Sequence, residues 1–254
     1  MPCRTRAPQN RCVKPVPWLV TVVRRPGDEL GAIRELALVR WRAGARPVMA
    51  AGAGLLCIAG DIAYTSAGLR HIAVAGGAVT AALPLPLELA RLAGSAFLPT
   101  AELPLPLAVI QVVLVLGLAE LVLGRYATAA VAITAHLAST LFARLLIAVG
   151  TAALLGLPAS QAGVLDTGPS AMTAAVGSWL LLRARAYWCL AMLGAALIIA
   201  AILQDNVDGR EHLAAFGCGA LAALTVEARP LRRLQIARSR APVPQPIGDL
   251  DPDR

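Results

Sequence analysis

Apolar residues in this chain come in runs of about twenty, broken by short polar turns, and that spacing matches the roughly 20 helical residues needed to cross a bilayer's hydrocarbon core. In lipid only helices and closed barrels satisfy their own backbone hydrogen bonds. The runs are continuous and lack the in–out alternation of barrel strands. Composition agrees. Hydrophobic residues make up 57% and charged residues 15%, with a mean hydropathy of +0.68. A soluble domain lies nearer half and a quarter. The sequence therefore reads as an all-α, polytopic membrane protein.

Six apolar segments carry this reading, at 47–66, 107–123, 128–154, 168–182, 187–203 and 212–226. They divide the chain into a basic N-terminal tail at 1–46, a six-helix membrane domain at 47–228 and a disordered C-terminal tail at 229–254. Within the first tail, Leu30, Ile33, Ala37 and Trp41 recur at helical spacing, which predicts a helix lying on the membrane surface over 28–42. Between the first two spans, 67–103 reads as a long loop with short interfacial or re-entrant helices, because Pro84, Pro86 and Pro99 interrupt it.

Charge assigns the sides. The formal net charge is +8. Basic residues gather in the N-terminal tail, at Arg125, at Arg183 and Arg185, and in the C-terminal tail. The segments around Asp166 and around Asp205, Asp208 and Glu211 are neutral to acidic. Six crossings with both termini cytoplasmic place every basic turn inside, so a multi-pass plasma-membrane protein is expected. No basic patch with interleaved aromatics is present, and nucleic acid is not expected as a partner. Cys3, Cys12, Cys57, Cys189 and Cys218 are scattered, with no CxxC and no Cys/His cluster. Neither a metal site, a cofactor nor a disulfide framework is expected.

Two polar turns open directly into apolar helices. Asp166-Thr167-Gly168-Pro169 leads to Ser170, and Asp205 through Glu211 leads to His212. Each of Ser170 and His212 follows an acid by four residues, which sets both about 6 Å below their loop acids on helices of the same direction. A hydroxyl becomes a nucleophile when a base within reach takes its proton, and histidine is the usual base. Gly168 and Pro169 let the backbone enter the helix with free N–H groups, and such groups would then face a developing oxyanion. The same residues also read simply as two helix starts, with Asp166 or Thr167 as N-cap and Pro169 in the first turn.

In their order along the chain, the motifs resemble those of the rhomboid superfamily, and within it an actinobacterial-type rhomboid-like branch. Gly168-Pro169-Ser170-Ala171 is similar to that family's Gly-x-Ser-Gly, and His212 followed by small residues through Gly219 is similar to its sixth-span histidine. Glu120 and Gly124 resemble its Glu-x-x-x-Gly element. Leu92 to Phe97 followed by an acid, and His136 to Thr140, resemble signatures of the branch.

The resemblance implies a six-helix bundle in which Ser170 is the nucleophile and His212 the base of a dyad cleaving transmembrane proteins. Gly168, His136 and Thr140 would support it, and Glu120 and Gly124 would fix the turn between the second and third spans. The family's His-x-x-x-Asn pair is missing near 104–108. Ala171 and Ala215 stand for glycines, and Ala174 for an aromatic under the histidine.

Three functions follow as expectations: an intramembrane serine protease, a catalytically silent relative that binds transmembrane segments of partners, or a small transporter.

Overall fold

The computed structural model describes residues 25–98, 103–153, 155–204 and 206–225. Readings that fall on 1–24 and 226–254, including both tail ends, Cys3 and Cys12, lie outside the described residues. The described chain is all-helical, with α1 (Pro26–Arg42), α2 (Val48–Thr65), α3 (Arg70–Gly77), α4 (Leu85–Ser95), α5 (Leu105–Leu123), α6 (Arg125–Val149), α7 (Ser170–Arg183), α8 (Tyr187–Gln204) and α9 (Val207–Thr225). A short 3₁₀ turn, Ala159–Gly163, precedes α7. The helix expected over 28–42 is α1, which buries Ile33 and Ala37 against the bundle, and short helices α3 and α4 occupy the stretch between the first two spans.

Four helices, α2, α5, α6 and α8, are long and apolar enough to cross a membrane. The other two expected spans differ for a physical reason. α7 has 14 residues, about 21 Å of helix. It sits at the centre, packed by α5, α6, α8 and α9, and Ala171 to Val176 and Ser178 to Leu180 are all buried. A helix wrapped by other helices has little lipid to face and needs no apolar coat. α9 carries Asp208, Arg210 and Glu211 in its first turns, which lowers its hydropathy. α8 is the opposite case. It buries only Gly194 and Ala201 and turns Met192, Ile198, Ile199 and Ile202 outward.

Two local expectations are corrected. The segment 205–211 was expected to be a loop, but α9 begins at Val207. Asn206 accepts the Gly209 N–H at 3.0 Å, and such a cap starts a helix ahead of its acids. At α7, neither Asp166 nor Thr167 is the N-cap. Pro169 takes that position, and no side chain there caps the first turn.

The turn between α5 and α6 rests on Gly124 at φ +98°, a left-handed backbone that favours glycine. α7 and α9 lie against each other through Gly219, where a Cβ would fall 1.9 Å from the Ala175 carbonyl. Ser178 stitches the same contact by donating to Phe216 O at 2.9 Å.

Candidate functional site

Ser170 is the first residue of α7, and His212 lies in the second turn of α9. Both are half-buried, and both line one cleft of about 410 Å³. Gln111 and Val115 of α5 form one wall, Leu193 and Leu197 of α8 the other, and Thr173, Ala174 and Gly177 of α7 the back. α5 and α8 each pack on α7 but are not a packed pair themselves, and the cleft runs between them.

The loop that delivers Ser170 is pinned by α4 and the segment before it. Asp166 N–H donates to Val79 O, and Gly168 N–H donates to Ser95 O, each at 2.8 Å. Gly168 has φ +110°, which a Cβ would strain. Ser95 in turn meets His136 Nε2 at 3.0 Å. Its hydroxyl also reaches Leu92 O at 3.0 Å. His136 thus braces the serine loop through Ser95. Its ring lines a different cavity, of about 520 Å³, together with Leu89, Leu92 and Ile133.

The expected supporting residues therefore fare differently. Neither His136 nor Thr140 lines the Ser170–His212 cleft. Thr140 and Ser139 donate to Glu211 Oε1 at 3.1 and 2.9 Å. Gly168 commits its N–H to Ser95 and supports the loop instead of an oxyanion. Glu120 is buried, and its carboxylate accepts Met49 N–H at 3.2 Å and Ala50 N–H at 2.9 Å. It caps the start of α2. The turn at Gly124 uses the Glu120 backbone carbonyl, which accepts Gly124 N–H at 3.0 Å.

Gln111 is the residue that sequence reasoning passed over. Its Nε2 donates to Thr173 Oγ1, and that hydroxyl donates to Ser170 O at 2.8 Å. A carboxamide is thereby held beside the nucleophile candidate with a second N–H in hand. A lone glutamine in an apolar run was the only sequence signal for it.

A group of acids was also missed. The carboxylates of Asp166, Asp208 and Glu211 lie within 4.8 Å of one another, and Glu211 is hydrogen-bonded to Asp166. Among the described residues this is the one acid, histidine and cysteine group spaced to hold a cation, and its all-oxygen donors suit a hard one. Its bonds tie the serine loop to α9 and α6. The signal lay in two acids standing four residues ahead of Ser170 and His212.

Comparison with known proteins returned no matching family model, no matching curated protein and no matching solved structure. The functional reading accordingly stands on residues and geometry.

Proposed function

We propose that this chain is an intramembrane serine endopeptidase of six crossings, α2 and α5 to α9, with both termini cytoplasmic, and that its relationship is to the rhomboid superfamily. The observation that carries the activity is the shared cleft. Ser170 and His212, from separate helices, line one cavity walled by residues of the apolar helices α5 and α8. In this reading a segment of another membrane protein reaches Ser170 sideways, through a mouth between those two helices.

In this reading His212 takes the Ser170 proton as the hydroxyl oxygen bonds to a substrate peptide carbon. The carbonyl oxygen becomes an oxyanion, held by first-turn N–H groups of α7 and by the Gln111 carboxamide. The carbon–nitrogen bond then breaks, and the amine leaves with the proton from His212. Water, deprotonated by His212, hydrolyses the ester and restores Ser170.

The side assignment is supported by how the helix ends meet. Arg40 Nε donates to Leu121 O at the end of α5, and Arg183 donates to Ala223 O near the end of α9. The basic residues thus cluster at one end of the bundle, as the positive-inside rule requires of a cytoplasmic face.

A second reading is a silent scaffold that binds transmembrane segments. It is favoured by the commitment of Gly168, His136 and Thr140 to structural bonds. A fluorophosphonate probe on the purified full chain separates the two. We expect covalent labelling that is lost in Ser170→Ala and strongly slowed in His212→Ala. No labelling of the wild type, or equal labelling of Ser170→Ala, overturns the protease reading.

A further inference from the structure

α1 joins the two helices that flank the cleft mouth. Near its start, Glu29 is buried at 4% exposure. Its carboxylate accepts Trp188 N–H at 3.2 Å and Cys189 N–H at 2.9 Å, the first turn of α8. Near its end, Arg40 Nε donates to Leu121 O at 3.3 Å, in the last turn of α5. Anions suit helix N-termini and cations suit C-termini, so each bond complements the helix dipole it meets. The two residues are eleven positions apart, about 16 Å of helix. Between them, Leu30 and Ile33 line the same cleft as Ser170, and Ile33 is 3% exposed.

The geometry points to α1 as the latch of the cleft: it holds α5 and α8 at a set separation and closes the cleft's inner end with Leu30 and Ile33. It therefore limits which segments enter and how deeply they seat. This rests on reading the cleft as the substrate site. No other described element bonds to the first turn of α8 and the last turn of α5 together, so releasing α1 removes the tie without touching Ser170, His212 or Gln111.

The test uses the full chain in lipid nanodiscs, with Cys3, Cys12, Cys57, Cys189 and Cys218 replaced by serine. Spin labels at Leu114→Cys on α5 and Ile198→Cys on α8 report the mouth. Adding Glu29→Ala with Arg40→Ala shifts the distance distribution to longer separations and broadens it. Where that pair impairs folding, Glu29→Gln alone gives a smaller shift in the same direction. An unchanged distribution in a folded released variant overturns the latch. Probe labelling of Ser170 in the same samples is expected to speed up on release, and no change in labelling where the parent labels also counts against the latch. Failure of the protease reading looks different: no variant labels, while the distances still move.

Discussion

Glu120 and Glu29 each cap a helix from a distant part of the chain, and the two were not equally legible. Glu120 stands alone in an apolar run, which marks it at once, and only its partner helix was unforeseen. Glu29 lies in a charged stretch beside Asp28 and looks like any solvated acid until α8 is folded against it. Burial pushes the Glu29 carboxyl up, but the N–H groups of Cys189 and Trp188 outweigh it and hold it below its ordinary value of 4.5. A carboxyl lowered by folding stabilises the folded contact above its unfolded value and loses that contribution as pH falls through its folded one. Docking of α1 is therefore constant at neutral pH and weakens on acidification below 4.5. Hydrogen exchange checks this: the protection of the Trp188 and Cys189 amides falls in that range in wild type and is already low at neutral pH in Glu29→Ala. Full protection of both amides in Glu29→Ala at neutral pH contradicts the assignment. Gln111 marks the limit of reading residues singly, because a polar side chain among Val, Leu and Ile declares only that it needs a partner.

Among the elements, α7 shows most clearly how packing overrides composition. By length it falls short of the roughly 30 Å hydrocarbon core, yet it is the most enclosed helix of the bundle. Its contact with α9 rests on small residues, and two glycines of α9 form a matched pair. At Gly219 a Cβ meets the Ala175 carbonyl at 1.9 Å and Ser178 Oγ at 2.2 Å, whereas at Gly217 nothing lies within 4 Å. Gly219→Ala is expected to destabilise by about 1–3 kcal/mol through overpacking. Gly217→Ala is expected to be neutral or to stabilise by up to about 1 kcal/mol through helix propensity. Thermal unfolding in detergent reads both, and equal effects would contradict the contact. The small residues Ala214, Ala215, Gly217 and Gly219 were visible in the sequence. Which glycine faces α7 was not, because that depends on the rotation of one helix against another.

For the whole molecule, six crossings and four make opposite statements about one turn. If α7 crosses, the turn before Tyr187 is cytoplasmic. If only α2, α5, α6 and α8 cross, that turn lies outside. In cysteine-free full chain, Ser160→Cys is expected to react with an impermeant maleimide from the outer face, and Tyr187→Cys only from the inner face. Outer-face labelling at Tyr187→Cys would remove the six-crossing reading. Helical class, four spanning-length apolar helices and a helix over the 28–42 stretch were readable from the order of residues, because length and hydropathy are local properties and each segment answers alone. The cleft, the trans caps at Glu120 and Glu29, the hydrogen bond between Asp166 and Glu211, and the bracing of Gly168 by Ser95 depend on which helix faces which. Those facings come from side-chain packing between segments as much as 163 residues apart, and no local pattern encodes them.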